Sequence, residues 1–370
     1  MAHLWLLRTK TFYYSSWRSR IVQYLYPIRL EASLHETIWG GRHLEQGGWK
    51  QLPAGNVAIG ESWETEVSNI VQNGLYAGKT LGDLVTEMGP ALLGPQAMLV
   101  FGQRFPLLAK FLDANAQLSV QVHPEDGYAA KHENGKLGKT EFWYILSAEP
   151  GATIVHGFET ATTRADVQSA IENVNLDQLL HEEPVQAGDV IFVPAGTVHA
   201  IGSGVLLYEL QEYSDVTYRM YDYGRLTASG KPRELHIERS LDVARFDVSP
   251  QIKMHPVTLP AASGYEDRCL VASRYFLTRE MSFKEGTTLD DKTSESCIII
   301  SSLGAELEVS YGPALEQRES LARGQTMVLP AALGTYRLEG CGVFLYSYVP
   351  DASDEAWQLW LKSNQESVQR

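Results

Sequence analysis

Short apolar runs closed by glycine or proline turns set the strongest limit on how this chain can fold. AGDVIFVPAGTVHAIGSG (187–204) shows the pattern, with VIFV set between Gly188 and Pro194 and the turn PAGT leading to His199. The stretch that follows, LLYELQEYSDVTYRMYDYG, again alternates strand-like runs and tight turns. Many short strands punctuated in this way predict a closed β-barrel or a double-sheet jelly roll.

The rest of the chain agrees. YPIRLEASLHETIWGG (26–41) alternates apolar and polar residues and ends in Gly-Gly, which reads as an edge strand and turn. TLGDLVTEMGPALLGPQAML (80–99) has helical spacing broken by Gly-Pro, so short helices are expected. FPLLAKFLDA and QLSVQVHP read as successive strands, and TEFWYILSA and ATIVHGF as another pair joined by the turn AEPGA. Within residues 159–181 the period changes: Val167, Ala170, Ile171 and Val174 recur at helical spacing, which marks a helical insertion or cover. A faint repeat lays RGQTMVLPAALGTYRLEG (323–340) over 187–204, with Gly324 on Gly188 and Pro330 on Pro194. His199 falls on Thr335, so the second copy lacks the candidate ligand. The expected division is a barrel with helical segments over 26–250 and a second, degenerate barrel without a metal site over 251–370.

Composition narrows the function. A net charge of −14 over 370 residues argues against broad nucleic-acid or anionic-membrane binding. No apolar run approaches the roughly 20 residues of a membrane span. The apolar patch Leu4–Leu7 in MAHLWLLRTK makes a poor signal peptide. Residues 1–25, basic and aromatic in an acidic chain, are expected to be a flexible extension. Cys269, Cys297 and Cys341 are few, odd in number and scattered, which fits a reducing cytoplasm and neither a disulfide framework nor a cysteine metal cluster.

A strand puts residues i and i+2 on one face, so Gln121 and His123 in LSVQVHP point the same way. Glu141 opens the next strand-like run, and the PAGT turn would set His199 at the barrel mouth. Taken singly, His123 reads as a strand-ending histidine with a satisfied hydrogen bond, and Glu141 as a turn carboxylate. Taken together, two histidines, a carboxylate and the Gln121 carbonyl oxygen suit Zn²⁺, Fe²⁺, Mn²⁺ or Ni²⁺. Trp39 and the rings of TEFWY read as core, and His156 as a satisfied non-ligand.

Gly188, Pro194, Gly196 and His199 match the second motif of the cupin family. LSVQVHPED, GKTEFWYIL, FVPAGTVHAIGSG and LLYELQEYSDVTYRMYDYGR, with IWGG and GESWE earlier, resemble one cupin subfamily closely: the class I mannose-6-phosphate isomerases in their short bacterial form. The resemblance covers about residues 26–350. It implies a mainly β fold of two cupin jelly-roll barrels with a helical insertion. One zinc ion per chain is implied, held by Gln121, His123, Glu141 and His199. It also implies an enzyme that interconverts mannose 6-phosphate and fructose 6-phosphate, and so a phosphorylated hexose substrate. Arg219 is expected to stabilise the substrate oxygens or contact the phosphate, with Lys139 and Glu209 as candidates for proton handling. A structural ion pair on the barrel rim is the competing reading of Lys139 and Glu209, and a surface salt bridge to Asp215 or Asp222 that of Arg219. Lys110, alternating with apolar residues, is a weak phosphate candidate. Two other functions remain open: an Fe²⁺ bicupin oxygenase, and a non-catalytic sugar-binding barrel that keeps its metal as a structural element.

Overall fold

A computed structural model describes residues 25–226, 230–248, 252–304 and 306–364, so nearly all of the N-terminal extension lies outside the described residues. The first part of the chain contains β1 (Ile28–Arg29), β2 (Ser33–Gly41), β3 (Ile59–Trp63), β4 (Leu107–Ala114), β5 (Val120–Val122) and β6 (Glu141–Ala148). It continues with β7 (Thr153–Phe158), β8 (Leu180–Pro184), β9 (Val190–Val193), β10 (His199–Ile201), β11 (Val205–Glu212) and β12 (Tyr218–Tyr221). The later part contains β13 (Val257–Thr258), β14 (Tyr265–Ala272), β15 (Leu277–Lys292) and β16 (Ile298–Ser302). It ends with β17 (Glu306–Tyr311), β18 (Gln317–Leu321), β19 (Thr326–Leu329) and β20 (Thr335–Tyr348).

Among the described residues these strands form three sheets. One runs β2-β3-β4-β11-β6-β9, the second β12-β5-β10-β7-β8, and the third joins β13 to β20 with β1. All pairings are antiparallel, and β2 is an edge strand as its alternation predicts. The strands read as a pair, β6 and β7, are consecutive but belong to different sheets. Their turn therefore carries the chain across the barrel instead of closing a hairpin, which is the jelly-roll arrangement. β1 pairs with β19, Ile28 opposite Val328, so the beginning of the chain completes the third sheet.

The two faces of β4 and β11 are both covered. Leu112, Ala114, Val205 and Leu207 point into the first barrel with Trp39, Trp143 and Ile191. Phe111, Tyr208 and Leu210 point outward, to a large shared core with Phe276, Ile299, Leu345 and Trp360. Truncating a fully buried ring such as Phe276 in a core of this kind costs about 3–5 kcal/mol. The interior of the third sheet is filled by Met281, Phe283, Ile300, Val309 and Phe344.

The helices form where the spacing places them. Leu81–Met88 starts with a Thr80–Asp83 capping box, and Pro90–Leu93 and Pro95–Phe101 each begin on a proline after a glycine of positive φ. Arg164–Glu172 buries Val167, Ala170 and Ile171 against the outer face of the five-stranded sheet. Val174 departs from that expectation: it lies past the helix end with φ +56° and is exposed. The repeat has a structural counterpart, because β9 and β19 each follow a glycine of positive φ, Gly188 and Gly324, and each ends at a proline. No described helix is long and apolar enough to cross a membrane.

Candidate metal centre

One row across the five-stranded sheet organises the site. Arg219 stands opposite Gln121, Gln121 opposite His199, and His199 opposite His156. Cross-strand partners share a face, so four polar side chains from β12, β5, β10 and β7 are presented together. The six-stranded sheet supplies a second group. Lys110 of β4 is opposite Glu209 of β11, and Glu209 is opposite Trp143 of β6, two residues after Glu141.

His123, Glu141 and His199 converge, their ligand atoms all lying within 4.8 Å of one another. All three residues are buried. His123 Nδ1–H donates to the carbonyl of Val216 at 2.8 Å, and His199 Nδ1–H to the carbonyl of Thr197 at 2.8 Å. Each imidazole is thereby fixed as the tautomer whose Nε2 lone pair faces the centre. His199 Nε2 is 3.3 Å from Glu141 Oε1 and His123 Nε2 is 3.6 Å from Glu141 Oε2. Gln121 Nε2 is 3.3 Å from His199 Nε2. Glu141 Oε1 is buried and has no hydrogen-bond partner among the described residues. An orphaned carboxylate oxygen beside two inward-facing imidazole nitrogens is a donor set that fits a divalent cation.

The family model "Phosphomannose isomerase type I, catalytic domain" matches residues 28–142. The mannose-6-phosphate isomerase ManA of Bacillus subtilis is 38% identical over 327 residues, covering 87% of this chain and 99% of that protein. The chain belongs to the mannose-6-phosphate isomerase family, type I. A mannose-6-phosphate isomerase of Streptococcus mutans is 36% identical over 318 residues, covering 85% of this chain and 95% of that protein. The crystal structure of the mannose 6-phosphate isomerase from Bacillus subtilis superposes with a TM-score of 0.76 at 32% identity, covering 87% of this chain and 99% of that one. The cupin barrels expected of a mannose-6-phosphate isomerase are thus the fold observed.

In this member of the mannose-6-phosphate isomerase family the charges are distributed unevenly around the centre. Burial, with Lys139 and the neighbouring imidazole adding to it, holds His123 well below the usual histidine value. Burial likewise takes His199 down to about 3. Both rings are therefore held in the neutral form that a metal ligand needs. Burial and the Glu209 carboxylate push Glu141 up, against Lys139 and Lys110. Burial also pushes Glu209 up, but Lys139, Lys110 and the Trp143 N–H outweigh it, and Glu209 is held below the usual value.

Lys139 donates to Glu141 Oε2, lies 3.1 Å from His123 Nε2, and is 4.0 Å from Glu209 Oε1. It is inside the barrel and not in a rim ion pair. Lys110 Nζ is 3.3 Å from both Glu61 Oε2 and Glu209 Oε1 and stands 4.6 Å over the Trp63 ring. The Glu209 contact is an ion pair without hydrogen-bond alignment, since Glu209 Oε1 has no hydrogen-bond partner among the described residues. Burial would lower the Lys110 ammonium, but Glu61, Glu209 and Glu141 together raise it.

Arg219 shares the row of Gln121, yet its Nη1 donates to the carbonyl of Glu234 at 2.9 Å and its Nε is buried without a partner among the described residues. Asp222 is instead taken by Arg225 and Arg233, and Asp215 by Lys136. His156 is no member of the ligand cluster: its Nε2–H donates to Phe192 O at 3.1 Å. Trp39 and Trp143 are core residues, but Trp143 Nε1–H also donates to Glu209 Oε2 at 3.0 Å. Two parts of the site went unread in the sequence. They are the contact of Glu61, from GESWE, with Lys110, and the pairing of Lys110, singled out in the sequence as a weak phosphate candidate, with Glu209. Only the alternation in LLAKFLDA signalled that lysine.

Proposed function

We propose that this chain interconverts mannose 6-phosphate and fructose 6-phosphate by moving a proton between C1 and C2 of the open-chain sugar through an enediolate. The observation that carries this reading is the buried His123–Glu141–His199 cluster beside the Lys139–Glu209–Lys110 ion pairs. His123, Glu141 and His199 would hold one zinc ion, with the Gln121 carbonyl oxygen as fourth donor. Two imidazoles, a carboxylate and an amide oxygen suit zinc, and no thiolate competes for softer metals. Bound there, the ion would supply a Lewis acid for the negative charge developing on the sugar oxygens.

The chain's own residues do the rest. Glu209, kept ionised by Lys139 and Lys110, is placed to accept a proton, and Lys139 to hand one back or to hydrogen-bond the oxygen that gains charge. Arg219 cannot act as a base at any working pH. Its charged neighbours include Arg225 and Arg233, which both pair with Asp222, and Glu234. Three arginines gathered in an acidic protein support an anionic group, the substrate's phosphate, at this end of the site. We further read 26–250 and 251–370 as two barrels, the second without a metal site, and place the enzyme in the cytoplasm with its phosphorylated substrate and free cysteines.

The test is a coupled assay for fructose 6-phosphate formed from mannose 6-phosphate, before chelation, after it, and with zinc restored. Turnover that is lost and then recovered supports the reading, whereas equal rates with and without metal overturn it. Oxygen uptake without isomerisation would favour an iron oxygenase, and a metal-loaded protein with no turnover a binding module.

A further inference from the structure

The segment Gly138–Glu141 carries both Lys139 and Glu141, and it is gripped from outside the site. Gly138 N–H donates to Asp126 Oδ1 at 2.9 Å, Lys139 N–H to Pro124 O at 3.1 Å, and Thr140 N–H to Glu212 Oε1 at 2.8 Å. Glu212 N–H returns a bond to Thr140 O at 3.1 Å. The fit leaves no slack: a Cβ on Gly138 would meet Asp126 N at 2.6 Å and Pro124 O at 2.8 Å.

The grip extends to the third sheet. Ser273–Phe276, the turn between β14 and β15, is closed by Ser273 N–H donating to Phe276 O at 2.8 Å. From this turn Tyr275 O–H donates to Asp126 Oδ2 at 3.0 Å, and Arg274 Nη2 lies 3.5 Å from the same oxygen. Glu212 is buried, its Oε2 has no donor among the described residues, and the Asp126 carboxylate is a neighbouring negative charge.

We propose that Asp126, Glu212 and Tyr275 form a brace by which the metal-less part of the chain positions Lys139 and Glu141. The inference rests on the site assigned above, and none of the three braces touches the reacting atoms. A buried carboxylate oxygen that lacks a donor, near a second negative charge, is unfavourable unless it carries a proton. Burial and the Asp126 charge push Glu212 up to about 8, in the direction that retains this proton. The second barrel then has a task beyond packing.

Three variants test the brace by steady-state kinetics and by hydrogen exchange at the amides of Gly138, Lys139 and Thr140. Tyr275→Phe removes only the hydroxyl, and with it the bonds to Asp126 and Arg274. It is expected to lower kcat about tenfold with KM unchanged, the scale of outer-shell losses. The three amides should also exchange about tenfold faster while core amides keep wild-type protection. Glu212→Leu should do more of the same. Glu212→Gln keeps the acceptor for Thr140 and replaces the unpartnered oxygen by a neutral N–H donor, so it should restore kcat and protection. Tyr275→Phe matching wild type in both readouts would overturn the brace even if Glu212→Leu fails to fold. A Glu212→Gln variant as impaired as Glu212→Leu would also overturn it. Exchange needs neither metal nor turnover, so an inactive wild type would refute the isomerase reading and leave the brace to be judged by exchange.

Discussion

His199 Nε2 lies 3.3 Å from Glu141 Oε1, although β10 and β6 belong to different sheets. The centre therefore exists only while the two sheets stay face to face, and a cation between them would cross-link the barrel. His199→Ala should drop bound metal below about a tenth of an equivalent and reduce kcat by at least about 10³-fold, as expected when one ligand of a catalytic ion is lost. Elemental analysis alongside the coupled assay checks both. A variant that kept its metal and its rate would remove His199 from the site.

Arg219 offers a different separation. Its guanidinium has Arg225 and Arg233 among its charged neighbours, and its Nη1 donates to the Glu234 carbonyl. Arg219→Ala is expected to retain full metal content while kcat/KM falls about 10²–10³-fold, the size of a lost charge-stabilising contact. Adding inorganic phosphate should inhibit wild type more strongly than the variant. Near-full activity in Arg219→Ala would show that the residue only ties β12 to the Glu234 carbonyl.

The metal-ligand candidates were legible because a strand's period of two and a turn before a histidine are local signals. Gln121 and His123, Pro194, Gly196 and His199 carry that information within a few residues of one another. What joins strands across the barrel is not local. The separation of β6 from β7 into two sheets depends on the path of one turn, and Glu61 reaches Lys110 from an element about fifty residues upstream. β4 and β11 are buried along their full length. Alternation there cannot tell inward from outward, so Glu209 and Glu212 look alike in sequence, although one faces the centre and the other braces it. Val174 had the right spacing but not the right backbone, since its positive φ ends the helix.

Lys110 is the cation between Glu61 and Glu209, and its side chain is almost wholly buried. Lys110→Met would leave Glu61 without its lysine and Glu209 with Lys139 as its remaining lysine partner. Removing one partner from a buried pair costs about 3–5 kcal/mol, more than the methionine's packing returns. Urea denaturation at neutral pH should show a loss of this order. Turnover should fall as well, because Glu209 loses one of the cations that keep it ionised and shifts toward its protonated, non-basic form. A variant with unchanged stability would mean that the lysine stem, and not its charge, is what the barrel uses.

Glu212 gives the fold a pH dependence opposite to that of a salt-bridged carboxylate. Asp126 from the helix Asp126–His132, Tyr275 and Arg274 from the β14–β15 turn, and the Thr140 amide from β6's approach all face it. Burial and Asp126 raise its pKa from 4.5 to about 8 on folding. The folded state therefore holds a proton that the unfolded state releases near 4.5. Stability from this group is complete below that pH and is lost as pH rises through about 8. Thermal unfolding of wild type should shift to lower temperature between pH 6 and 9, whereas Glu212→Gln, which cannot ionise, should lose several degrees less, as expected when a difference of about 1 kcal/mol moves Tm by a few degrees. Parallel Tm curves for the two proteins over this range would mean that Glu212 is already ionised in the folded state.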